Sequence, residues 1–311
     1  MADAFVTLYQ QGFRAFHAGA YEAATAALVQ ALQLRPDHQP AIAGLGMALL
    51  GQGLYPQGWP LYEARKRAER TPLDGGDIPE WDGSPLDGRR LLIWPEQGLG
   101  DEIQMARYAP LLARAGKVTL ACSAPLARLF EQLGADIHVR ADGVPPPTAD
   151  VWVRNFSLPG LLGTTLETIP PAPYLAAPSE PKRGGVGFVW RGDPTHANDS
   201  NRSLPSPDVL APLADVAELV DLQPPRGDFL DTAARIQALD LVVTVDTSMA
   251  HLAGALGVPC FVMLPALGCD WRWLRDRSDS PWYPSLRLYR QSRPGDWSEV
   301  VGRMRADLAA H

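Results

Sequence analysis

The chain has 311 residues, 46% hydrophobic and 20% charged, which excludes a wholly disordered or fibrous protein and is long enough for more than one domain. Its 28 Lys and Arg against 35 Asp and Glu leave a net charge of −7, which disfavours non-specific adhesion to nucleic acid or anionic membrane, so an anionic ligand must be met by local donors. The three cysteines, Cys122, Cys260 and Cys269, show no CxxC spacing, so neither a disulfide framework nor a zinc site is suggested. The start, MADAFVTLYQ, lacks a basic n-region and an apolar h-region, and no run of about 18 apolar residues occurs. The expectation is a cytoplasmic protein with no membrane span.

The first predicted elements are helical and repeated. Gly12, Gly19 and Tyr21 recur as Gly46, Gly53 and Tyr55, each pair 34 residues apart, which is the tetratricopeptide period. Small Ala24 and Ala31 allow two helices to approach closely, and Pro36 stops the second. The second unit has Gly58 and bulky Arg65 at the positions equivalent to Ala24 and Ala31, so it is expected to cap the array. Because about three repeats are normally needed for stability, the arm over residues 1–70 should pack on the rest of the chain or on a partner.

A Pro-, Gly- and Asp-rich stretch over 71–88 reads as a linker. After it, strands at RRLLIW, KVTLAC, Asp136 to Val139 and Asp150 to Val153 alternate with helices, predicting a first parallel α/β domain over 89–170. Proline-rich residues 171–183 read as a hinge. A second α/β domain over 184–311 is built from VGFVW, AELVDLQ, LVVTVD and CFVMLP with helices DTAARIQALD and MAHLAGALG. Aromatic residues interleaved with arginines over 269–291 fit a domain seam better than a nucleic-acid surface, and residues 296–310 read as an amphipathic helix crossing back over the first domain.

Three segments can carry chemistry. The turn PEQGLGDEIQ joins a strand to a helix, so Gln97, Gly98 and Gly100 present backbone near a positive helix end. Asp101 is there either a plain N-cap or a carboxylate facing the crevice beyond the strand ends. The turn VTVDTSMAH puts Asp246, Thr247 and Ser248 at a strand's carboxyl edge, where amides and hydroxyls suit a diphosphate. His251, one turn on, is another donor or a satisfied core histidine. The polar loop RGDPTHANDSNRS brings Arg191, His196, Asn198 and Arg202 above the same crevice, beside Trp190 and, from the next strand, Gln223.

Taken together, WPEQGLGDEIQMARYAPLL, GFVWRGDPTHANDSNRSLP and DTAARIQALDLVVTVDTSMAHLAGALGVP resemble bacterial tetratricopeptide-repeat glycosyltransferases, related to the heptosyltransferase-like family 9 and distantly to O-GlcNAc transferases. That resemblance implies a GT-B-like α/β fold, with two Rossmann-like domains facing a cleft behind a short all-α tetratricopeptide-repeat arm. It implies an inverting, metal-independent transfer from a nucleotide-sugar to a protein or glycan hydroxyl, with no cofactor. Asp101 matches the general base. Asp246, Thr247, Ser248 and His251 match the segment that holds the donor diphosphate, and Arg202 falls near a basic residue on the leaving phosphate. Pro224 and Pro225 stand where a glycine is common, and Arg191 and Asp193 also vary the pattern. The arm is suited to a polypeptide acceptor or partner protein. The competing reading is a non-catalytic tetratricopeptide-repeat adaptor with a degenerate nucleotide-sugar domain.

Overall fold

The structure is a computed structural model that describes residues 2–67, 71–178, 181–223 and 227–310. In chain order its elements begin with helices α1 (Ala2–His17), α2 (Tyr21–Leu34), α3 (Gln39–Gly51) and α4 (Tyr55–Tyr62). Then follow β1 (Arg90–Trp94), α5 (Leu99–Ala106), α6 (Ala109–Ala113), β2 (Lys117–Cys122), α7 (Ala127–Phe130), β3 (Asp136–Val139), β4 (Val151–Arg154) and α8 (Leu158–Leu161). The remainder comprises β5 (Val186–Val189), α9 (Asp199–Arg202), β6 (Leu219–Asp221), α10 (Phe229–Gln237), β7 (Leu241–Val245), α11 (Ser248–Leu256), β8 (Cys260–Leu264), β9 (Leu286–Arg290) and α12 (Ser298–Ala309). The chain forms two compact units. One joins Met1–Asp77 to Ser157–Ile169 and Ala266–Arg277, and the other holds Ile78–Phe156, Pro170–Pro265 and Ser278–His311.

In the helical unit the recurring glycines have two uses. Gly19 and Gly53 adopt φ of +70° and +78°, a left-handed turn between helices that side chains resist. Gly46 permits contact, since a Cβ there would lie 2.5 Å from the backbone N of Tyr62. Arg65 is buried, bonded to the carbonyl of Tyr62, to Glu63 and, at 3.2 Å, to the hydroxyl of Ser157. The array therefore ends on segments borrowed from later in the chain. Trp59 donates to the carbonyl of Thr164 at 3.0 Å, Gly268 donates to the carbonyl of His17 at 2.7 Å, and Trp271 packs edge-on against Tyr55, Trp59 and Tyr62.

The other unit carries two parallel sheets. Their strand orders are β3-β2-β1-β4 and β6-β5-β7-β8-β9, and every pairing between these strands is parallel. Strands β4, β7 and β8 are buried along their whole length, as strands covered on both faces must be, which explains why they are apolar apart from Arg154 and Thr244. Counted from its own first strand, the first sheet has the order 3-2-1-4 and the second 2-1-3-4-5, both doubly wound α/β orders, so the unit is GT-B-like. Part of the stretch read as linker is structural: Glu80 bridges Trp152, and Trp81 donates to the carbonyl of Trp152 at 2.6 Å, covering the open edge of β4.

Two features differ from the sequence reading. The arginine-rich tail contributes β9, because Leu286, Leu288 and Tyr289 bury themselves while Arg287 stays outside. The final helix was expected to cross to the first α/β half. Instead, Val300, Val301 and Met304 of α12 close the core of the second half with Leu210, Leu213, Phe261 and Tyr289.

Trp271 is 3% exposed within the aromatic cluster of the helical unit. Trp271→Ala should cost about 3–5 kcal/mol in that unit, the usual range for truncating a buried tryptophan. Urea denaturation followed by far-UV circular dichroism checks this, and an unchanged midpoint would refute it.

Candidate functional site

In open parallel sheets, ligands sit beyond the carboxyl ends of the strands, at the point where strand order reverses. In the first sheet that point lies between β1 and β4, and in the second between β5 and β7. The turn containing Asp101 follows β1. The turn containing Asp246 follows β7, and the polar loop follows β5.

At the first switch point Gln97 adopts φ of +62° and the chain enters α5. The backbone N–H of Gly98 donates to Asp101 Oδ2 at 2.9 Å. Asp101 is thus not the N-cap that the sequence suggested: Gly98 holds that position, and Asp101 closes the capping box from the third residue of α5 while staying partly exposed. The adjacent Glu102 has a different task. It accepts from the backbone and hydroxyl of Ser123 at 2.8 and 2.5 Å and pairs with Arg140 at 3.2 Å, tying α5 to the end of β2. Burial pushes the Glu102 carboxyl above the usual carboxylate range, against the opposing pull of Ser123 and Arg140. Behind the turn lies a group the sequence reading missed. Buried Glu96 pairs with Arg154 at 3.4 Å, and its backbone N–H donates to Asn155 Oδ1 at 3.1 Å. Their separation by 58 and 59 residues hides this pairing from any local motif.

At the second switch point Thr247 caps α11, its hydroxyl accepting from the N–H of Met249 at 3.2 Å. Arg202 lies across the gap between the loop and this turn. Its Nη1 donates to the carbonyl of Asp246 at 3.1 Å, and its Nε stands 3.5 Å from Asp199. Gly192 makes room for it, because a Cβ there would be 2.7 Å from Arg202 Nη2. Gln223 is a brace, since its Oε1 accepts from the N–H groups of Trp190 and Arg191 and its Nε2 donates to the carbonyl of Arg191. Trp190 packs its partly buried ring on the second-half core, and the Asn198 amide oxygen accepts from Asn201. Exposed His196 accepts at Nδ1 from the N–H of Asn198 at 3.1 Å. Partial desolvation first, then Arg202, hold its pKa below the usual histidine value, while Asp199, Asp101 and Asp193 oppose them. Pro224 and Pro225 lie outside the described residues.

The two switch points meet. A Cβ on Gly100 would lie 2.8 Å from His251 Cδ2 and 3.2 Å from the Cα of Ser248, so the first turns of α5 and α11 touch. This brings Asp101 of the first half beside the Asp246–Ser248 turn of the second, with His196 and Arg202 from the loop. His251 is 2% exposed, and its Nδ1 stands 3.1 Å from the Tyr283 hydroxyl, so it sits in the seam behind the mouth. Deeper in the seam, Arg107 of the first half donates to the carbonyls of Pro170 and Trp282, each at 3.0 Å, and stacks on the rings of Tyr174, Trp282 and Tyr283. Trp282 and Tyr283 therefore occupy a seam, while Tyr289 belongs to the second-half core. Among the described residues there is no cluster of three His, Cys, Asp or Glu suited to a metal, and no helix is long and apolar enough to cross a membrane.

Residues 15–81 match the tetratricopeptide repeat family. Among curated proteins, protein FlbA of Caulobacter vibrioides is 27% identical over 84% of this chain and 53% of its own length, so the chain spans about half of that relative. Among solved structures, a glycosyl transferase family 9 protein from Veillonella parvula aligns with a TM-score of 0.49 at 12% identity, over 72% of this chain and 91% of that one. The E. coli heptosyltransferase WaaC with ADP aligns at 0.44 and 13%, over 71% and 99%. A Thermobaculum terrenum O-GlcNAc transferase aligns at 0.29 and 14%, over 98% of this chain and 79% of that one.

The approach of the two turns makes a signed prediction. Asp101→Asn removes a carboxylate that favours the His196 cation, so the His196 pKa should fall further, whereas Arg202→Gln should raise it. Histidine NMR titration reads both shifts, and a His196 pKa unmoved by Asp101→Asn would separate the two turns.

Proposed function

We propose that this chain is a glycosyltransferase that moves a sugar from a nucleotide-sugar to a hydroxyl acceptor. The observation that carries this reading is the contact at Gly100, which unites a half-exposed carboxylate from one switch point with a helix start and an arginine from the other. The first-turn amides of α11 at Thr247 and Ser248, with Arg202, take the diphosphate, and Asp246 supplies the carbonyl that aims Arg202. His251 presents its Nε2 edge to the same junction. Gln97, Gly98, Gly100, Trp190, His196 and Asn198 border the crevice, and Gln223 holds the loop.

Asp101 takes the proton of the acceptor hydroxyl as its oxygen attacks the anomeric carbon. The new carbon–oxygen bond forms as the bond to the diphosphate breaks, so one displacement inverts configuration. The charge that develops on the leaving diphosphate is met by Arg202 and the α11 amides, an arrangement suited to metal-independent transfer. The Gly98 N–H bond to Oδ2 orients the carboxylate for this task. A polypeptide or glycan acceptor would enter from the first half, with the helical arm as a further binding surface for a polypeptide.

A second reading, the tetratricopeptide-repeat adaptor, is favoured by one observation. The Thr247 hydroxyl is committed to capping α11 and His251 is buried, so neither side chain is openly offered to a ligand. A thermal-shift panel of UDP, GDP, ADP, CMP and dTDP with their sugar conjugates separates the readings, because a ligand that binds the folded state alone raises its melting temperature. A selective shift that shrinks in Arg202→Ala supports the transferase, whereas no shift with any nucleotide supports the adaptor. With an active donor and acceptor in hand, Asp101→Asn should keep the shift and lower turnover by about 100-fold or more. Undiminished turnover would remove Asp101 as the base.

A further inference from the structure

We infer that Tyr283 is a positioning residue for His251, fixing the neutral imidazole with its proton on Nε2 so that a donor faces the junction of α5 and α11. The inference rests on the donor-site reading above for its use, but not for its test.

The proton count is set by three contacts. The Tyr174 hydroxyl donates to the carbonyl of Ile103 at 2.7 Å, which commits its one proton to α5. The Tyr283 hydroxyl then has two neighbours that can accept, His251 Nδ1 at 3.1 Å and the Tyr174 oxygen at 3.5 Å. The nearer one is the imidazole, and the longer distance lies at the limit of a hydrogen bond. With Tyr283 donating to Nδ1, the remaining ring proton belongs on Nε2, the atom that would lie 3.5 Å from a Cβ at Gly100.

The surroundings keep Tyr283 in that role. It is fully buried, and burial first, then Tyr174, pushes its hydroxyl far above the usual tyrosine value, so it remains a neutral phenol with a proton to give. Its side chain packs closely on Gly254, one turn after His251 on α11. A Cβ there would be 2.4 Å from Tyr283 Cγ, so only glycine admits the ring at this height. The Arg107 guanidinium also packs over the ring, 4.7 Å from its centre. Ring, helix and cation together leave the hydroxyl one place to stand.

The test is nitrogen NMR of the full chain labelled at histidine, at a pH where the ring is neutral, with the His251 signal assigned by its loss in His251→Gln. The wild-type signal should show Nδ1 as the lone-pair nitrogen and Nε2 protonated. A proton on Nδ1 overturns the inference. Tyr283→Phe should shift the signal toward a mixture of tautomers and weaken binding of the nucleoside diphosphate that stabilises the wild-type chain by about tenfold, the scale of one buried hydrogen bond. Gly254→Ala should shift it the same way by displacing the ring. An unchanged tautomer in folded Tyr283→Phe also overturns the assignment, and if that variant does not fold, the wild-type spectrum alone decides. Failure of every nucleotide to bind the wild-type chain would defeat the transferase reading, while the tautomer would still decide the role of Tyr283.

Discussion

The bare Cα of Gly100 is the constraint from which the rest of the α/β unit takes its shape. Because no side chain stands there, the first turn of α5 rests on Ser248 and His251, and two helix starts from different sheets share one small volume. Their partial positive ends would repel if left facing each other in an apolar medium, so the junction demands negative charge or acceptors nearby. Asp101 supplies one such charge, through the same carboxylate that closes the capping box of its own helix. The structural need is thus met by a residue at the third position of α5, with Gly98 and not Asp101 as the N-cap.

Behind that junction the two halves are held by polar groups removed from water. The Arg107 guanidinium donates to the carbonyls of Gln104, Pro170 and Trp282 and stacks on three aromatic rings, and the hydroxyls of Tyr174 and Tyr283 link α5 to α11. Buried groups of this kind are expensive to disturb, because a lost partner leaves an unpaired donor in a low dielectric. The exposed clasp of Arg128 with Asp228 and Asp231 also spans the halves, at 2.9 and 3.3 Å, but exposed pairs contribute little. Rigidity at the seam thus comes from its interior.

Much of this was legible in the sequence, for reasons that differ by element. Strands β7 and β8 are covered on both faces, so their apolar runs stood out, and Gly19 and Gly53 marked the repeat by their spacing, although their left-handed turns emerge only in the structure. The turns bearing Asp101 and Asp246 could be placed because a strand, a short polar turn and an apolar helix follow one another locally. What stayed hidden depends on distant partners. Glu96 meets Arg154, Arg107 meets Trp282, and Gln223 braces Trp190, pairings that no local pattern records. The destination of α12 was misread because an amphipathic helix states which face it buries, not against which sheet. For His251 the residue was found but not its setting, since burial at a seam requires both halves at once.

The helical unit is completed by Ser157–Ile169 and Ala266–Arg277, segments that leave the α/β unit after β4 and after β8 and return to it. The two units are therefore interleaved in sequence although compact in space, and no single cut separates them. Recombination that exchanged the arm alone would strand Trp59 without its Thr164 carbonyl and Trp271 without its aromatic neighbours. The arm must diverge in step with two loops encoded far downstream, so it is inherited with its scaffold and is not a detachable module.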